Sequence, residues 1–398
     1  ALVVNTVGPN VSFTLLSDSS LGQPYPAGIQ QYYGVGTHKF YDMGKANFAA
    51  SPANPVMQGG YLKVMGNITG TGTQTLTKIG QDVVQLAGNN TGFNVAVREG
   101  LLQLGSSTAL PSTGSLTMRG NGVLDLSGNN ATVSSLDGDS ATAQILNSTV
   151  GRNTLSVQSG TYNGALKGSI NLVKQGAGTL RLNSADTSFN GTTSVTGGTL
   201  QVANSLSATT AVSVTGAGAR LEFVGAAGNS DRINNFAAVV LGAGGRLVTN
   251  GFSEGSSAPG QGAGMGMLTL QSGAEIDFGN GALGSTLLFE GLTFADGTSV
   301  IISNWTGKAQ TDDGAAGNDR LLFRTAPGFS ESFLRNVQFQ GDDGSNYALG
   351  ATMVGYNGYV ELVPVPEPST WLLSGLGGML LGLRNRRRVS ELLAQWRG

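Results

Sequence analysis

Apolar side chains along this chain recur two residues apart in short runs, and glycine, asparagine or serine interrupts each run before the next begins. A spacing of two places them on one face of a strand. The phrase Leu76-Thr-Lys78-Ile-Gly80-Gln-Asp-Val-Val-Gln-Leu86 returns as Leu172-Val-Lys174-Gln-Gly176-Ala-Gly-Thr-Leu-Arg-Leu182. Both copies run on into an Asn-rich turn and an aromatic, Phe93 and Phe189. Gly100-Leu-Leu-Gln-Leu104 pairs in the same way with Gly198-Thr-Leu-Gln-Val202, and Leu116 to Leu126 with Val212 to Phe223. The order strand, glycine turn, strand recurs from Val239 to Leu247 and from Leu268 to Phe278. Glycine at these breaks supplies the positive φ that a tight corner requires.

A short strand with one apolar face cannot bury that face alone, and stacking successive copies solves the problem. The pattern therefore predicts an all-β fold, a parallel β-helix (solenoid) with terminal caps and a short C-terminal hydrophobic helix. A β-sandwich array is the competing architecture. The solenoid is favoured because the phrase returns without Asn-Gly hairpin chemistry between paired strands. Inward Leu, Val and Ile are expected to stack one coil on the next, and Asn89, Asn90, Asn129 and Asn130 to form corner ladders or turns.

Texture divides the chain into four parts. Residues 1–60 are rich in aromatics, including Tyr25, Tyr32, Tyr33, Phe40 and Tyr41. They read as an N-terminal cap, with an assembly surface as the second reading. Residues 61–284 are the repeat region, 285–363 a C-terminal β cap, and 364–398 a tail.

The tail has its own physics. Pro366 and Pro368 flank Glu367, lack amide donors and hold the chain extended. An uncharged run follows (Trp371, Leu372, Leu373, Leu376, Met379, Leu380, Leu381, Leu383), then Arg384, Arg386, Arg387 and Arg388. The run is shorter than the roughly 20 residues that span a bilayer, and long arginines extend its reach to the headgroups. A basic cluster beside an apolar run tends to stay cytoplasmic. This order resembles the PEP-CTERM sorting signal of Gram-negative-type bacteria. The resemblance implies an exosortase that recognises Pro366, Glu367 and Pro368, and a transient or retained stay in the inner membrane. It also implies delivery to the cell surface or extracellular matrix.

The repeats, in turn, resemble the autotransporter-associated β-strand repeat of bacterial passenger domains. Lys174 to Leu182 with Phe189 to Val202 fits closely, and the copy at Leu76 has drifted at Gln81 and Val84, where that family usually keeps Gly and Leu. Repeats of this kind joined to a sorting tail resemble large exported proteins of verrucomicrobial and planctomycete bacteria. A chain that starts at Ala1 carries the further expectation of a removed signal peptide.

Composition removes several classes of function. Charged residues are 12%, against about 25% in ordinary domains. The net charge of −2 gives no basic stripe for nucleic acid. There is no cysteine, hence no thiol nucleophile or Cys-zinc site, and His38 is the single histidine. Candidate carboxylates for lyase or hydrolase chemistry are Asp125, Asp137, Asp139, Glu222, Glu275 and Asp277. Their alternation with apolar neighbours is expected to point them outward as solvated positions. The acidic loops holding Asp312, Asp313 and Asp319, and Asp342 and Asp343, are weak calcium candidates without EF-hand spacing. No cofactor is expected and enzymatic activity is not. The sequence points to an exported structural rod that self-associates, with an adhesin or glycan-binding module as the alternative and a polysaccharide lyase or hydrolase behind it.

Overall fold

The computed structural model describes residues 61–365, apart from gaps at 65–66, 82, 185–186, 226–230, 256–263, 280–283, 307–317, 326–327, 329 and 342–345. It also describes the backbone of Leu2–Val3, Ser12–Leu16 and Phe40–Asp42. The expected C-terminal helix lies outside the described residues. The fold is a parallel β-solenoid of about 10 coils, as expected and in place of a sandwich.

Three ladders of parallel strands form its sides. One begins at Ser12–Leu16, Thr75–Ile79, Asn94–Val97 and Ser115–Met118, continues through Thr179–Leu182, Thr199–Val202, Arg220–Phe223, Arg246–Val248 and Ala274–Asp277, and ends at Val337–Gly341. A second runs from Tyr61–Val64 to Thr187–Phe189. A third runs from Ile170–Lys174 through Thr192–Val195, Ala211–Val214, Ala238–Leu241, Met265–Leu270 and Thr286–Phe294 to Arg320–Phe323. Two long strands, Ala131–Asp137 and Asn153–Tyr162, bend around a corner and belong to the first ladder at one end and the third at the other.

Strict register turns the period of two into interior columns. Leu180, Leu200, Leu221, Leu247, Ile276, Ile302 and Phe339 sit directly above one another, each at most 2% exposed. Each such side chain contributes about 1.5–3 kcal/mol by leaving water. Toward the C-terminus the column widens into aromatics, with Trp305 packed edge-on between Phe278 and Phe339 at 5.2 Å each.

Corners are held by side chains that reach the neighbouring coil. Asn90 donates to Ala109 O and accepts from Ile68 N, Asn130 Oδ1 accepts from Thr154 N, and Asn129 donates to Leu104 O. Asn90, Asn129 and Asn130 thus bridge coils as the sequence suggested, and Asn89 is tied through its backbone amide to Asn67 Oδ1. Gly198 shows why glycine recurs there. Its φ is 59°, and a Cβ would meet Gly178 O at 2.3 Å.

Direction reverses at both ends. Leu2–Val3 pairs antiparallel with Ser12–Leu16, and Phe40–Asp42 with Tyr61–Val64. At the other end Tyr359–Pro364 pairs antiparallel with Arg320–Phe323 and with the outermost strand, Ala351–Tyr356. A buried ion pair, Arg320 Nη1 to Glu361 Oε2 at 3.0 Å, fastens that hairpin, and Tyr356 stacks on the same guanidinium at 3.8 Å.

Candidate functional site

In a chain so poor in charge, one surface collects charged groups. The outward positions of the first ladder carry small hydroxyl residues early on. They become Gln201, Arg220, Glu222, Arg246 and Glu275 in consecutive coils, with the buried Asp277 beside them at a strand end. Glu222 accepts from Arg220 Nη2 at 3.0 Å, Gln201 Nε2 at 2.9 Å and Asn250 Nδ2 at 3.1 Å. Arg246 Nη2 lies 2.5 Å from Asp277 Oδ2 and 3.3 Å from Glu275 Oε1. Ser303 Oγ donates to Glu275, and Asn304 Nδ2 to Asp277, both at 2.5 Å. Every carboxylate is therefore paired and fixed. Such a strip can present rigid planar donors and acceptors to a polar partner; it holds no isolated acid facing an isolated base.

Two carboxylates correct the expectation of outward, solvated positions. Asp125 and Asp277 are 2% and 3% exposed. Asp125 lies at a corner, where Ser127 N, Ser148 N and Ser148 Oγ donate to it. A strand end turns the last side chain toward the corner's orphan amides, and alternation stops predicting its direction there. Asp137, Glu222 and Glu275 are half-buried and Asp139 is exposed. Asp319 is 3% exposed and accepts from Ser285 N and from Thr306 N and Oγ1. Among the described residues no group of three or more acidic or His side chains is placed to hold a metal ion. His38, Asp312, Asp313, Asp342, Asp343, Tyr25, Tyr32, Tyr33, and the side chains of Phe40 and Tyr41, lie outside the described residues.

Buried cations are the feature the sequence concealed. Lys174 is 0% exposed, and its Nζ donates to Gln175 O at 2.8 Å, Gly176 O at 2.9 Å and Gly197 O at 2.9 Å. Lys78 makes the same cage with Ile79 O, Gly80 O and Glu99 O. Burial lowers the Lys174 pKa to about 8. Arg232, also 0% exposed, donates to Val202 O, Ala203 O and Asn204 O and stacks on Phe252. Glu254 accepts from the amides of Arg232 and Ile233, and burial raises its pKa to about 8. The arginines of the strip did leave a signal: Arg220 and Arg246 both follow the same glycine turn, and register pairs them.

A second surface feature is an open groove of about 480 Å³ beside the third ladder, formed by Thr269, Gln271, Ser272, Phe294, Asp296 and Thr298 among others. Large exposed apolar side chains among the described residues are Val150, Phe236, Met267 and Met353, which do not form an aromatic platform. No helix among them is long and apolar enough to cross a membrane.

The described rod ends where the tail begins. Pro364 pairs with Ala351, Val365 N donates to Gly350 O at 3.2 Å, and Pro366 follows.

Fold and tail together define an exported, passenger-type β-solenoid of the bacterial cell surface. The Passenger-associated-transport-repeat matches residues 172–202, and the PEP-CTERM protein-sorting motif matches residues 364–388. Over 147 residues the chain is 33% identical to the adhesin BmaC autotransporter of Brucella suis biovar 1 (strain 1330). That stretch is 35% of this chain and 4% of the Brucella protein. No solved structure matches the chain at a significant level.

Proposed function

We propose that the chain is a structural protein of the cell surface or extracellular matrix, a rigid rod delivered by exosortase sorting of its tail. The observation that carries this reading is where the polar groups go. Corner asparagines, the caged lysines and Asp125 are spent on joining one coil to the next. The charged strip is closed on itself. A rod built this way resists bending and local opening because each coil is tied to both neighbours. In this reading the protein has no catalytic role, and the inner membrane holds it only through the tail.

Self-association into filaments goes with this proposal. The aromatics Tyr25, Tyr32, Tyr33, Phe40 and Tyr41 are its assembly residues. Electron microscopy of the purified protein over a concentration series tests it. Filaments that shorten in a Tyr32→Ser, Tyr33→Ser variant are expected, and dispersed single rods at every concentration would sink the assembly step.

A second reading, an adhesin that binds glycans, is favoured by the groove at Thr269 to Thr298 and by the likeness to an adhesin. Saccharide binding that disappears in an Asp296→Ala, Gln271→Ala variant would support it.

A further inference from the structure

We propose that the outer edge of the outermost strand, Ala351–Tyr356, rests on the bilayer surface while the tail is inserted. The inference rests on the anchoring role given above to the tail. It comes from the length of chain between the described fold and the apolar run. Val365 is still hydrogen-bonded to the rod end, and Trp371 opens the run. Fully extended, the connection from Val365 to Trp371 reaches about 20 Å. The polar headgroup layer itself takes roughly 5–8 Å of that distance. The rod end then stays within about 15 Å of the headgroups, the height of about three coils. The apolar run shortens this leash further. As a helix, residues 371–383 cover about 20 Å, and the hydrocarbon core is about 30 Å thick. The deficit draws the residues before Trp371 into the interface.

The surface nearest the exit suits that position. Ala351–Tyr356 pairs in register with Tyr359–Pro364 on one side, and no second register joins its other edge to a described strand. It is the terminal layer of the third ladder, so its free edge faces along the rod axis, away from the coils. Met353, 38% exposed, lies on this strand about 10 Å from the point where the chain leaves. Membrane lipid is the occupant that the short leash favours; a processing enzyme in the same membrane is the competing occupant.

The chain has no cysteine, so one introduced thiol labels one place. Full-length Met353→Cys and Val150→Cys proteins, each carrying an environment-sensitive fluorophore, are reconstituted into phosphatidylethanolamine/phosphatidylglycerol vesicles doped with headgroup spin-labelled lipid. Val150, fully exposed and many coils away, is the distant reference. The expected result is co-flotation of both proteins, loss of most fluorescence at position 353, and none at 150. A Gly/Ser insert of about 20 residues between Val365 and Pro366 is expected to restore the fluorescence at 353. Flotation without quenching at 353, or equal quenching at both positions, overturns the lipid contact and leaves the anchor intact. Quenching that persists with the insert also overturns the leash argument. Quenching at 353 that needs co-reconstituted exosortase reassigns the face to that enzyme. Failure of the chain to float overturns the anchoring role and the contact together.

Discussion

Replacing Lys174 with methionine tests whether the caged lysines hold the corners. Methionine keeps the volume and the flexibility of the stem, so packing changes little. What is lost is three donors to carbonyls at 2.8, 2.9 and 2.9 Å. Gross loss runs to about 1–3 kcal/mol for each carbonyl left buried and unsatisfied. Two terms reduce it. An ammonium no longer has to be desolvated, and the half-exposed to exposed Gln175 and Gly176 give water access to their carbonyls. The net expectation is about 2–3 kcal/mol of destabilisation, carried mainly by the Gly197 carbonyl and the inter-coil bond it makes. Urea unfolding at pH 7, where the amine carries its charge, measures the total. Hydrogen exchange locates it: amides near 175–178 and 196–199 should exchange faster, and Leu101–Leu104 should not, because a solenoid loses stability locally. A change below about 0.5 kcal/mol, the size of an ordinary surface substitution, would refute the reasoning. So would faster exchange spread evenly over all coils.

Further predictions follow from the same geometry. Burial raises the Glu254 pKa to about 8 from 4.5, so the native state binds more protons than the unfolded chain in that window. The stability this carboxyl supports is therefore fully present below pH 4.5 and is lost as pH rises through about 8. Thermal melts should show that decline in the native chain and a flatter profile in Glu254→Gln; parallel profiles would contradict it. Phe236 is held at φ 67° with 70% of its surface exposed. Phe236→Gly should stabilise by about 1 kcal/mol in urea unfolding by relieving left-handed strain; an unchanged or lowered stability would contradict it. Gly198→Ala should cost about 2–4 kcal/mol in urea unfolding, since its Cβ would overlap backbone carbonyls of the preceding coil. A mild effect would mean that the corner can open.

Sequence alone determined the local unit and the class of architecture. Period-two apolar positions, glycine corners and the return of the Leu-x-Lys-x-Gly phrase specify strand, corner, strand, and burial then leaves stacking as the solution. The sorting tail was equally legible, because proline, an apolar run and arginines act through local chemistry. The two Lys phrases even close identical cages. Only the tertiary structure decided where each unit sits. The copy at Lys78 turns from the first ladder into the second, whereas the copy at Lys174 turns from the third into the first. That choice is made by the bent strands Ala131–Asp137 and Asn153–Tyr162, which change the number of corners passed between copies. The same limit applies to charge. Arg246 meets Asp277 across 31 residues and Arg232 meets Val202 across 30. Register brings such partners together, and register belongs to the stacked chain, not to any one of its strands.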